Sequence, residues 1–213
     1  MKTLMKQISI FLLLTFVLIS CNQNQTVDFD NEKNNLSLDR KILYYKGSPF
    51  SGTIVSHYEN RQVSSKSSYK EGKEDGVWEE YRENGQLKVK CSYKEGEKEG
   101  VWEEYRENGQ LKVKGSYKEG KKDGVWEDYY ENGRLEKKGS WKNGKEDGVW
   151  EFYFVIGRLK GKGSFKEGNP DGVWEVYYEN GQLWEKGSYK KGEKDGVWEF
   201  YNLNGKIITT TTY

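Results

Sequence analysis

The sequence is poor in the residues that most chemistry needs. His57 is the only histidine among 213 residues, and Cys21 and Cys91 are the only cysteines. A lone histidine with no cysteine or second histidine at ligand spacing predicts no metal centre. Two cysteines cannot build a disulfide framework, and Cys21, at the end of the amino-terminal apolar run, is expected to be modified, which leaves Cys91 without a partner and predicts no disulfide. Proline occurs twice, as Pro49 and Pro170, so the chain is not a proline-rich linker. Neither sign of charge dominates, at 35 basic against 34 acidic residues. Without a basic excess, nucleic acid and acidic membrane surfaces are not expected partners. After Ile19 there is no long apolar run, and mean hydropathy is −1.01.

Such polarity would suit a disordered chain, but 15% of the residues are aromatic. Trp, Tyr and Phe bury large areas even where aliphatic residues are scarce. They are also periodic. Trp78, Trp102, Trp126, Trp150, Trp174 and Trp198 recur every 24 residues, as do Gly76, Gly100, Gly124, Gly148, Gly172 and Gly196. A fixed period of this length marks an array whose units cannot bury their apolar faces alone. The periodic tryptophans are read as its core.

Each unit carries two turn signals. One is Asn-Gly, at Asn84-Gly85, Asn108-Gly109, Asn132-Gly133, Asn180-Gly181 and Asn204-Gly205. Between strand-like runs this predicts a two-residue type I′ hairpin turn. The other is read as a longer loop, such as Lys94 to Gly100, and Pro170 falls inside one copy of it. The two-residue turn would set Arg82 opposite Leu87, Tyr81 opposite Lys88, Glu79 opposite Lys90 and Trp78 opposite Cys91. Trp78, Leu87, Val89 and Tyr93 then share one face, and Val77 and Tyr81 the other. The pair Glu79–Lys90 recurs as Glu103–Lys114, Glu127–Lys138, Glu151–Lys162 and Glu175–Lys186. Cys91 stands where Gly115, Gly139, Gly163 and Gly187 stand, which leaves room for an indole.

The expected fold is therefore all-β: an elongated array of about seven antiparallel hairpins in a single twisted sheet, over residues 45–213. At ~4.8 Å per strand it would run roughly 65–70 Å. The first hairpin, with Thr53-Ile54 for Val-Trp, reads as a degenerate cap. The β-branched last strand, Ile207 to Tyr213, is an edge open to self-association.

The amino terminus reads differently. Lys2 and Lys6 precede an apolar run from Ile8 to Ile19, too short to span a bilayer and suited to a signal-peptide core. Leu18-Ile19-Ser20-Cys21 resembles the bacterial lipoprotein lipobox. That resemblance implies cleavage after residue 20, lipidation of Cys21, and a place in the cell envelope on a membrane anchor. Residues 21–44, rich in Asn, Gln, Asp and Glu, read as a flexible tether.

The run Tyr-Lys-x-Gly-x-x-Asp-Gly-x-Trp-x-x-Tyr-x-x-Asn-Gly-x-Leu, at Tyr117 to Leu135, resembles the MORN repeat in its bacterial variant form. That form is common in proteins labelled YwqK-family antitoxins. The resemblance spans residues 45 to 213. It implies a single-layer hairpin array that binds proteins or lipid surfaces, and it implies no catalytic residue and no cofactor.

Function is expected at the departures from the repeat. Val155-Ile156 replace Glu-Asn at a turn, and Trp184 replaces a Lys or Glu, directly across from Tyr177 in the expected register. Exposed aromatics are enriched at interface hot spots, so Val155, Ile156, Tyr177 and Trp184 are the candidate site for a protein partner. Two other classes stay open. An antitoxin-like protein would need a cognate toxin, and a binder of cell-wall glycan or a lipid surface would show equivalent exposed aromatics in most repeats. No nucleophile–base set and no phosphate loop is present, so no enzyme is expected.

Overall fold

The computed structural model describes residues 25–213. The expected signal peptide and Cys21 lie outside them. Among the described residues the chain forms one 17-stranded sheet and a separate three-stranded sheet. After β1 (Thr26–Asp28) come a one-turn helix, α1 (Phe29–Glu32), and the small sheet β2 (Leu36–Asp39), β3 (Ile42–Tyr45) and β4 (Ser48–Pro49). The array proper is an antiparallel meander beginning with β5 (Gly52–His57), β6 (Val63–Lys70), β7 (Lys73–Tyr81) and β8 (Leu87–Lys94). It continues in the same manner to the last strand, Ile207–Thr212.

The stretch read as a tether is folded from Gln25 onward. β1 lies parallel to β5, with Val27 opposite Ile54. Val27, Phe50 and Ile54 are buried together, with Leu36, Leu43, Tyr45 and Tyr69 around them. A few apolar residues spaced through a polar stretch are enough to close the first hairpin, which would otherwise leave an open sheet edge. Asp28 caps α1 by accepting from the Asp30 and Asn31 amides.

The two turns exchange the roles expected of them. The tight hairpin lies at Glu95-Gly96, where Lys94 pairs with Glu97. Both turn residues have positive φ, +54° and +85°, the signature of type I′. Glu71, Glu119, Asn143, Glu167 and Lys191 occupy the same left-handed position. Pro170, expected in a loop, is instead the second residue of a strand. The Asn-Gly turn is a three-residue loop. The Gly85 amide donates to the Arg82 carbonyl and the Arg82 amide to the Gln86 carbonyl, with Gly85 at φ +80°. This is a type I turn closed by a left-handed glycine. Asn84 serves through its side chain, whose Oδ1 accepts the Gln86 amide.

The longer loop moves the register by one residue near the turn. Tyr81 pairs with Leu87, Glu80 with Val89, and Lys88 is the extra residue of a bulge. Leu87 therefore shares the Tyr81 face instead of the Trp78 face. Beyond the bulge the expected register holds, with Glu79 opposite Lys90 and Trp78 opposite Cys91.

The core is a line of aromatic rings on one face. Trp198 is fully buried, at 0% exposure, and Trp126 and Trp150 are nearly so. Trp78, Trp102 and Trp174 are half-buried. Each indole lies over the glycine position of the preceding repeat: a Cβ on Gly115 would collide with Trp126, on Gly139 with Trp150, and on Gly187 with Trp198. Edge-on rings link one indole to the next, as in Trp102–Tyr117–Trp126 at 5.7 and 5.3 Å and Trp174–Tyr189–Trp198 at 5.6 and 5.1 Å. Lys98, Lys122 and Lys194 lay their ammonium groups over Trp102, Trp126 and Trp198 at about 4 Å. Cys91 is free and buried, and burial pushes its thiol up to about 11. It is a small core residue and not a reactive one.

Candidate protein-binding edge

The three-residue loops line up along one edge of the array, and a ladder of side chains ties each to the next. Arg82 donates from Nη2 to the Tyr105 carbonyl and Arg106 to that of Tyr129. Tyr58, Tyr130 and Tyr178 donate their hydroxyls to the Tyr81, Tyr153 and Tyr201 carbonyls. Phe154 holds the same repeat position without a donor. At the turns themselves, Asn60 Nδ2 reaches the Glu83 carbonyl and Asn132 Nδ2 the Val155 carbonyl. Arg134 Nη1 meets the Ile156 carbonyl at 2.6 Å.

Val155 and Ile156 sit at such a loop with their side chains in solvent, 51% and 45% exposed. Their backbone is held by Asn132 and Arg134, while their side chains project unpartnered from the edge.

Trp184 is not across from Tyr177. It is the extra residue of a bulge, and Leu183 takes the position opposite Tyr177. The Trp184 ring tilts at 48° against Tyr178, 6.2 Å between centroids, and is 44% exposed. The Tyr177 hydroxyl donates to Glu175 at 2.7 Å. The expected Trp184–Tyr177 pair therefore does not exist, and Tyr177 belongs to the charged row on the other face.

That row runs through the array. Glu79–Lys90 and Glu103–Lys114 pair as expected, at 3.2 and 3.3 Å. Further along, Lys138 reaches forward to Glu151, and Lys162 and Lys186 both bind Glu175. The hydrogen bond from Tyr177, with the two lysines, holds the Glu175 carboxyl down at about 2. Burial and a hydrogen bond to the adjacent glutamate push Tyr81, Tyr105 and Tyr129 up to about 12. Glu175 therefore stays ionised and these tyrosines stay protonated across the physiological range. Val77, Val101, Val125, Val149, Val173 and Val197 form an exposed row on the same face.

Two residues join the edge: Leu203, which the sequence reading passed over, and Ile208, which it placed only in the strand expected to self-associate. Leu203 occupies the loop position held by Glu83, Glu107, Glu131 and Glu179, and it is 59% exposed. Ile208 occupies the bulge position of Trp184, one repeat on, and is also exposed. The signal was the replacement of glutamate or lysine by an aliphatic residue in an otherwise regular copy. The last three hairpins thus present Val155, Ile156, Trp184, Leu203 and Ile208 along one edge, where the earlier hairpins present charged and amide groups.

The family model described as MORN repeat variant matches residues 74–95, 98–119, 122–143, 170–191 and 194–213, just over half of the chain. It passes over the copy that contains Val155 and Ile156. No curated protein matches. Among solved structures, a similarity is found to a point mutant of S. aureus TarM in complex with Fondaparinux, alpha-GlcNAc-glycerol and UDP. It is 11% identical, with a TM-score of 0.31, over 45% of this chain and 19% of that one. The match thus spans about a fifth of that protein's length, and no argument rests on the likeness. Five matches in register with the hairpins decide the matter: the chain belongs to the MORN repeat variant family.

Proposed function

We propose that this repeat scaffold is non-enzymatic, is anchored to a membrane of the bacterial cell envelope through a lipid on Cys21, and holds a protein partner against the loop edge of its last three hairpins. One observation carries the reading. Val155, Ile156, Trp184, Leu203 and Ile208 are exposed along one edge, at positions that hold Glu, Asn or Lys in most other copies. Exposed apolar residues gathered on one side of a polar scaffold are a feature of interaction sites, and a partly exposed Trp is a common hot spot. The periodic indoles favour a protein over a glycan. They are buried or half-buried under Tyr and Lys, while a ladder of sugar-binding aromatics needs its rings free.

The test uses the full chain and a Trp184→Lys, Leu203→Glu double variant, which restores the residue types of Lys88 and Glu83. Both changes are at the surface, so thermal stability should move by less than about 0.5 kcal/mol. A protein captured from detergent-solubilised membranes, and rebound once purified, should be retained at least tenfold less by the variant. Undiminished binding would remove the edge from the reading. Cys21→Ser, in parallel, should shift the chain from the membrane to the soluble fraction. Unchanged membrane partitioning, with no acyl mass on the wild type, would end the anchoring part.

A further inference from the structure

At the opposite end of the array, β1, α1 and β5 bring His57 against Asp28 and Asp30, with Asp30 lying 27 residues before it in sequence. His57 Nδ1 is 3.5 Å from Asp28 Oδ2 and 3.6 Å from Asp30 Oδ2. One ligand atom from each of the three lies within 4.8 Å of the others. The backbone fixes both carboxylates. Asp28 Oδ1 accepts the Asp30 amide at 3.0 Å and the Asn31 amide at 3.3 Å, which leaves its Oδ2 turned to the imidazole. Asp30 Oδ2 accepts the His57 amide at 2.9 Å and keeps a further lone pair.

The spacing is wrong for a hydrogen bond and close to right for ligands of one ion. Nδ1 sits between two carboxylate oxygens, beyond good hydrogen-bonding distance of either. Two ligands each about 2.1 Å from a metal stand roughly 3.0–3.4 Å apart in octahedral or tetrahedral geometry. A contraction of a few tenths of an ångström would bring both oxygens into that range of the imidazole. The cluster opens onto a pocket of about 590 Å³, lined also by Tyr58, Glu59 and Arg61, with room for water ligands. Backbone donors orient both carboxylates, as groups outside the coordination sphere do in metal sites.

We propose that Asp28, Asp30 and His57 bind one divalent transition-metal ion of the zinc type and that it staples the amino-terminal cap to the first repeat. One imidazole and two carboxylates suit zinc, cobalt or nickel better than a thiol-seeking ion. The rival is a metal-free ion pair between a protonated His57 and the two aspartates.

The experiment uses the untagged full chain stripped with chelator, with Zn²⁺ as the calorimetric probe and Co²⁺ as the spectroscopic one. His57 is the only histidine, so the chain has a single imidazole NMR signal to follow. One equivalent of Zn²⁺ should bind, move that signal, and raise Tm by about 5 °C at a hundredfold excess over Kd. Asp30→Asn and His57→Gln should each weaken binding at least tenfold. Asp28→Asn keeps the helix cap and should weaken it too, so a loss there is not a loss of folding. Absence of binding with an unmoved imidazole signal would overturn the site in favour of the ion pair. Undiminished affinity in the variants, or a thiolate charge-transfer band with Co²⁺, would place the ion elsewhere and overturn it equally.

Discussion

At the scale of the residue, the repeat works by giving each position one partner in the next copy. The glycine under each indole is needed for close approach, since the space of a Cβ is already filled by the ring. Cys91 under Trp102 and Ser67 under Trp78 stand outside that rule, with a small side chain in place of the glycine. Phe154 breaks another. Its counterparts Tyr130 and Tyr178 donate to a carbonyl of the following hairpin at 2.6 and 2.9 Å. The equivalent acceptor for residue 154 is the carbonyl of Tyr177. Phe154→Tyr should complete the ladder and add about 1 kcal/mol of stability, seen as a rise in Tm of about 2–4 °C. A fall in Tm would mean that the Phe154 ring is packed in a pose its counterparts do not share.

At the scale of the element, two kinds of turn alternate, and the sequence named both while misassigning their types. Asn-Gly suggested a turn with positive φ at both residues. What it could not convey is that Asn84 caps the Gln86 amide with its side chain, which favours the three-residue loop. The strained turn falls at Glu-Gly, where a charged residue gives no hint of left-handed backbone. One copy did carry the hint, because Asn143 stands at the same place with φ +53°. Asn visits that region at lower cost than Glu. Glu119→Asn, at φ +50°, should therefore stabilise the array by about 0.5–1 kcal/mol, measurable as a higher midpoint in urea with an unchanged slope. An unchanged or lower midpoint would show that the Glu119 backbone carries no such cost. The same local error explains Trp184. Its identity marked it as irregular, but its face depended on a bulge, and the bulge depended on the loop type. The folded cap was illegible for another reason: Val27 and Leu36 sit in an aperiodic polar stretch, and their partners Phe50 and Ile54 lie in the weakest copy.

At the scale of the whole molecule, the period carries the fold, because strands pack chiefly on their neighbours in the meander. A chain of this kind has stability that is roughly a sum over units and the interfaces between them. Removing residues 124–147 joins Asp123 to Gly148 and brings Trp150 over Gly115, which takes the place of Gly139. Arg106 then meets the Tyr153 carbonyl, which Tyr130 meets in the full chain. Each severed partnership is remade with an equivalent residue, so the shortened chain should fold with the same far-ultraviolet spectrum per residue and one cooperative transition. Removing residues 124–146 instead leaves one residue too many, and a one-residue slip exchanges the two faces of a strand. It would turn Trp150 outward and put Val149 over Gly115, beside Tyr117. Urea titrations of the two deletions, side by side with the full chain, separate the cases. The 24-residue deletion should keep most of the transition and the 23-residue deletion should lose it. Unfolding of both would mean that some long-range closure, and not neighbour-to-neighbour stacking, holds the array together.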